Sequence, residues 1–131
     1  MDINVVLDFL DRSRKRHASA VQLLEYVVKN DYEICVSEDM LTTLYYISKN
    51  KPSILAFLKT ITREWHILHF GQDVIAEAIR LALDERKDLE DLLQCLCARE
   101  NNCVALITHD RIFYNCGINI YTADEFITTM A

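Results

Sequence analysis

Four short apolar runs, at 33–36, 65–70, 103–108 and 118–121, alternate with longer stretches whose apolar residues recur every three to four positions. Short runs with β-branched residues read as strands, and the longer 3.6-residue periods as helices. Strand and helix by turns point to an α/β fold: a central parallel sheet between two helical layers, α/β/α, because parallel neighbours need crossover connections. The 103–108 run is apolar, as expected at the centre of such a sheet. Helices are predicted over 4–11, over 17–30 with Val21, Leu24, Val27 and Val28 inward, and from Ser37 to about 49. Ser37 is read as the cap of that third helix, with Glu38 and Asp39 in its first turn and Met40, Leu41, Leu44, Tyr45 and Ile47 along it. Pro52 opens a helix to about 63. Val74, Ile75, Ala78, Ile79 and Ala82 line a helix over 72–84, and another runs over 88–101. Thr122-Ala123-Asp124-Glu125 is a capping box before a terminal helix.

At 131 residues the chain is expected to form one domain, 1–131, able to bury a substantial core. Its two glycines leave no room for a glycine-rich phosphate loop. No window is apolar enough to span a membrane, and no basic-then-apolar leader opens the chain. The expected compartment is therefore the cytoplasm. Five cysteines, odd in number and irregular in spacing, argue against a disulfide framework and for buried free thiols. Cys95 and Cys97, two apart on a helix, point to different faces and do not make a zinc pair. The formal charge of −6 argues against a protein that coats nucleic acid. One basic run, Arg12, Arg14, Lys15 and Arg16, reads first as a solvated turn between helices and second as a weak RNA-backbone or partner-binding patch.

Acidic residues fall at the ends of elements: Asp2, then Asp88 and Asp91 at a helix start, then Asp110 after the 103–108 strand. In open parallel sheets, sites lie beyond the carboxyl ends of strands. Converged there, these carboxylates would form an oxygen cage for a hard divalent cation, able to activate water against phosphate esters. Each has a plainer reading: Asp88 and Asp91 as a helix cap, Asp110 as part of a polar turn, Asp2 as an exposed terminal residue. Taken singly the plainer readings win; the order and placement of all four favour a site.

Five segments carry a resemblance. Asp2-Ile3-Asn4-Val5 resembles an Asp-Thr-Asn-Val opening. The stretch from Val36 to Ile47 resembles a segment bearing a Glu or Asn. Asp88-Leu89-Glu90-Asp91-Leu92-Leu93-Gln94 resembles an Asp-x-Glu-Asp-Ala-x-Gln helix start. Ile107-Thr108-His109-Asp110 resembles a Thr-x-Asp after the fourth strand, and Tyr121-Thr122-Ala123-Asp124-Glu125-Phe126 resembles a Thr-Pro-Glu-Glu-Phe close. Together they resemble the PIN domain, the fold of metal-dependent ribonucleases that includes VapC-type toxins.

The resemblance implies an RNA-cleaving toxin of a bacterial toxin–antitoxin pair. Asp2, Asp91 and Asp110 would hold Mg²⁺ or Mn²⁺, with Asn4, Thr43, Asp88 and Thr108 in support. Expected partners are RNA, an antitoxin and a second copy of the chain. Two departures mark this sequence. The family's Glu or Asn falls at Thr43, with Glu38 and Asp39 a turn or more away. Only Met1 precedes Asp2, so the first strand is truncated or absent. They motivate the alternative of a catalytically weakened PIN-like module acting through protein–protein binding, its surface on the 37–49 and 51–63 helices, where Tyr45, Tyr46 and Phe57 read first as core and second as exposed surface. A phosphoacceptor receiver domain shares the acidic cluster, but lacks the Asp after a middle strand and the Lys after a late one.

Overall fold

Parallel pairing organises the fold. In the computed structural model, which describes residues 1–110 and 113–131, β1 (Cys35–Ser37) runs parallel to β2 (His66–Leu68), with Cys35 opposite His66. β3 (Leu106–Ile107) runs parallel to β4 (Ile120–Tyr121). The opening dipeptide joins the two pairs. The Met1 amine donates to the Cys35 carbonyl at 2.8 Å, and the Asp2 amide donates to the Ile107 carbonyl at 2.9 Å. In a parallel sheet successive residues of an inner strand bond to opposite neighbours. Residues 1–2 do this, and the lateral order becomes β2, β1, residues 1–2, β3, β4. The first strand is thus reduced to two bridging residues.

Helices fill the connections. α1 (Ile3–Leu10) and α2 (His17–Lys29) precede β1, and α3 (Asp39–Ile47) and α4 (Lys51–Glu64) link β1 to β2. α5 (Gln72–Glu85) and α6 (Leu89–Glu100) link β2 to β3, and α7 (Ala123–Met130) follows β4. Three apolar clusters hold them. Val5 packs with Leu23, Val27, Ile107 and Phe126, whereas its neighbour Val6 packs with Val36, Met40, Leu44, Ile54 and Ile61. Val74, Ala78, Leu92 and Leu96 form a third cluster between α5 and α6. α1 is therefore gripped by two clusters through adjacent fully buried valines, and Asp2, directly before it, inherits that rigidity.

Several sequence expectations are corrected. On α2 the buried positions are Ala20, Leu23 and Val27, spaced three and four apart, while Val28 is 69% exposed. A small alanine allows that closer face, which a count of large apolar residues does not favour. On α5 only Val74 and Ala78 are buried, and Ile75 and Ile79 stay exposed. On α3, Ile47 is exposed, and Ser37 does not cap: it ends β1, and Glu38 stands at the cap position without a side-chain bond. The strands are shorter than predicted. Of the 103–108 run only Leu106 and Ile107 pair as strand, because Asn102 adopts φ 55° and the Cys103 amide closes the end of α6 on the Ala98 carbonyl at 3.0 Å.

The free-thiol expectation also changes. Cys95 and Cys116 form a disulfide that ties α6 to the segment before β4, and Cys35, Cys97 and Cys103 are free. A cavity of about 310 Å³ lies between β1 and β3, with Met1 and all three free thiols in its wall. There the neighbouring Cys35 thiol holds the Cys103 thiol below the usual thiol range. Burial also lowers the Met1 amine. No helix among the described residues is long and apolar enough to cross a membrane.

Candidate active site

Asp2 stands at the cap position of α1, where the fold leaves it 7% exposed rather than free at a terminus. Its Oδ1 accepts the Ile3 amide at 2.8 Å, and its Oδ2 accepts the Thr108 hydroxyl at 2.8 Å. Burial raises its carboxyl above the usual range against those two hydrogen bonds, and the charge of Asp110 adds to the rise. Asp88 caps α6 by accepting the Asp91 amide at 3.0 Å. The cap turns the chain so that Asp91 sits in the first helical turn.

Asp91 is the most perturbed of the acids, raised to about 6 by burial and by the charges of Asp88, Asp110, Asp2 and Glu90. Asp2, Asp91 and Asp110, from three separate parts of the chain, thus share one electrostatic neighbourhood. Like charges that cannot all ionise freely push one another's pKa upward. Glu90 belongs to the same field, raised by burial and by Asp39, Asp2 and Asp88. Among the described residues, no three acidic, histidine or cysteine side chains converge as a closed metal cage. The donor chemistry nevertheless fits a hard cation, which prefers carboxylate oxygens and would relieve the repulsion that raises Asp91.

Hydrogen bonds fix the chain around Asp110. The Asn4 side chain accepts the His109 amide at 3.1 Å and donates to the Thr108 hydroxyl at 3.3 Å. The Asp110 amide donates back to that hydroxyl at 3.1 Å. Asp110 and Thr108 face a cavity of about 520 Å³ that Arg16, Tyr121 and Glu125 also line. Thr43 is not turned into this network: it is exposed, and its hydroxyl donates to the Asp39 carbonyl at 3.1 Å. Asp39 itself accepts the Ser37 hydroxyl, which in turn accepts Gln94 Nε2 at 2.6 Å. Asp39 also reaches the acidic field, because its charge helps to raise the Glu90 carboxyl.

The basic run divides. Arg14 Nε is paired with Asp8 Oδ1 at 2.7 Å, which removes it from the free cations expected there. Lys15 and Arg16 line a cavity of about 360 Å³ with Asn4, Asp8 and His109, and Arg16 also borders the cavity of Asp110. Arg12 is exposed on the same turn.

Sequence reasoning gave no role to Asp8, His109 or Glu90, and set Asp39 aside as a turn or more from Thr43. Asp8 had a signal: it lies four residues after Asn4 and so shares its helix face. Glu90 lay inside a quoted motif. Nothing local marks His109, whose partners are distant in the chain.

The PIN-domain family model matches residues 1–112. The chain belongs to the PIN-domain family. This PIN domain is 33% identical over 130 residues to "Ribonuclease VapC1" of Aquifex aeolicus (strain VF5), a match covering 96% of this chain and 90% of that protein. Its fold is similar to a solved structure titled as VapBC2 from Rickettsia felis bound to a DNA fragment from their promoter. That likeness has a TM-score of 0.69 at 20% identity and covers 91% of this chain and 93% of the other.

Proposed function

We infer that this PIN domain is a ribonuclease that hydrolyses RNA phosphodiesters with Mg²⁺ or Mn²⁺ held by Asp2, Asp91 and Asp110, and that it serves in the cytoplasm as the toxin of a bacterial toxin–antitoxin pair. The observation that carries the reading is Asp91, raised to about 6 by burial and by a set of carboxylates that includes Asp110 and Asp2. A cation would relieve the repulsion that raises Asp91, which supports the reading.

When bound, such an ion supplies Lewis acidity toward a phosphoryl oxygen and lowers the pKa of a bound water. The chain's own residues prepare for it. Thr108 and the Ile3 amide orient the two oxygens of Asp2, and Asp88 orients the helix start that carries Asp91. Asn4 and Thr108 hold the backbone at Asp110. Arg12, Lys15 and Arg16 meet flanking RNA phosphates, a contact that positions the strand without reading its sequence. On α3 and α4, Tyr46, Ile47 and Leu55 are at least half exposed and supply the apolar surface for an antitoxin or a second copy.

The test is cleavage of a defined RNA with Mn²⁺. Asp91→Asn is expected to lose more than the roughly hundredfold that outer-shell changes reach. An inert wild type, together with equal Mn²⁺ affinity in Asp91→Asn, would overturn the reading. Thr43, bonded to its own helix rather than turned to the acids, supports the second reading of a weakened module that acts by binding protein. Tight Mn²⁺ binding by the wild type counts against it.

A further inference from the structure

Asp8 is buried, lies outside the acids assigned above, and is satisfied on both sides of its carboxylate. Oδ1 accepts Arg14 Nε at 2.7 Å and Oδ2 accepts His109 Nδ1 at 2.5 Å. Burial works to raise this carboxyl, but the two hydrogen bonds outweigh it and hold it below the usual range. The geometry fixes the imidazole as well. The Ala123 amide donates to His109 Nε2 at 3.4 Å. A backbone N–H can only donate, so Nε2 is the acceptor and the proton sits on Nδ1, facing Asp8. His109 is thus held at both ring nitrogens, by α1 on one side and by the start of α7 on the other. Its backbone amide is held by Asn4, one turn before Asp8 on the same helix.

The other arm of Asp8 acts on the basic turn. Arg14 lies in the middle of residues 12–16, between α1 and α2, and the His17 ring bonds the Asp8 carbonyl at 2.9 Å. Arg14, Lys15 and Arg16 share a cavity wall with Asp8 and His109. One carboxylate therefore fastens both the peptide that carries Asp110 and the turn that carries the exposed cations.

We propose that Asp8 is a positioning residue with two separable arms: through His109 it sets Asp110, and through Arg14 it sets the basic turn against the RNA backbone. The first arm rests on the proposed cation role of Asp110, and the second on the nuclease reading. Arg14 is not itself a phosphate contact; it is the strut that presents Lys15 and Arg16.

Three variants separate the arms: Arg14→Ala, His109→Gln and Asp8→Asn, the last leaving one acceptor oxygen where two donors point. Two readouts are taken on each: Mn²⁺ affinity by calorimetry without RNA, and KM and kcat on a defined RNA at saturating Mn²⁺. His109→Gln is expected to weaken Mn²⁺ about tenfold, the scale of outer-shell changes, with KM near wild type. Arg14→Ala is expected to raise KM severalfold with Mn²⁺ affinity unchanged, and Asp8→Asn to do both. Unchanged Mn²⁺ affinity in His109→Gln, or unchanged KM in Arg14→Ala, overturns the corresponding arm. Arg14 is partly exposed, so Arg14→Ala keeps the test open should Asp8→Asn fail to fold. A wild type that binds Mn²⁺ but cleaves no RNA sinks the nuclease reading while the Mn²⁺ comparison still decides the His109 arm.

Discussion

Asp91 holds its proton to a higher pH than an ordinary aspartate, and that leaves a signature in stability. Its folded value of about 6 lies above the reference value of 3.8. The folded state therefore binds this proton more tightly than the unfolded state does. Stability from that proton is complete below about pH 4 and is lost as pH rises through about 6. In EDTA, Asp91→Asn should melt above the wild type at pH 7, and the gap should close as pH falls toward 4. Saturating Mn²⁺ should reverse the order at pH 7. Thermal melts across that range check this, and curves that run parallel at every pH argue against it. At this scale the sequence was readable where a motif announced a residue. Asp88 as cap follows from residue type and spacing, and the supporting places of Thr108 and Asn4 from the family resemblance. The pairing of Asp8 with His109 was not readable, because two residues 101 apart meet only once the chain is folded.

Among the elements, α6 concentrates the most consequence. It begins at the Asp88 cap, carries Asp91 in its first turn, and one turn later is bonded through Cys95 to Cys116. The disulfide closes a loop across 21 positions, inside which lies Asp110. A loop of that length contributes about 3 kcal/mol by restricting the unfolded chain. Cys116→Ser should therefore lower the melting temperature by about 10 °C. It should also weaken Mn²⁺ binding, because the restraint between the Asp91 helix and the Asp110 segment is lost. Treatment of the wild type with a strong reductant should reproduce both effects, and their absence would separate the disulfide from the site. Odd cysteine count and irregular spacing pointed the other way, since spacing reports frameworks and not single cross-links. Helix existence was plain from periodicity. Helix orientation was not: alanines at 20 and 78 mark the buried faces of α2 and α5, and large apolar residues beside them stay in solvent.

The whole molecule depends on a narrow join. Strand and helix alternation foretold a parallel α/β fold, and the meagre sequence ahead of Asp2 foretold a weak centre. What the sequence did not foretell is how residues 1–2 bridge β1 and β3. They do so because α1 is wedged between two apolar clusters by Val5 and Val6, which holds Asp2 in place from the other side. The Met1 amine, meanwhile, ends in the protein's interior beside the thiol-lined cavity, and the far end of the chain, Ala131, is exposed after α7. For anyone purifying this protein the two ends are not equivalent. An affinity tag fused to Ala131 leaves directly into water. The same tag fused to Met1 must first thread between β1 and β3, where polar or charged linker residues would be stripped of solvent. The Met1 fusion should melt about 5 °C or more below the Ala131 fusion, and a short apolar, β-branched linker ahead of Met1 should recover most of that difference.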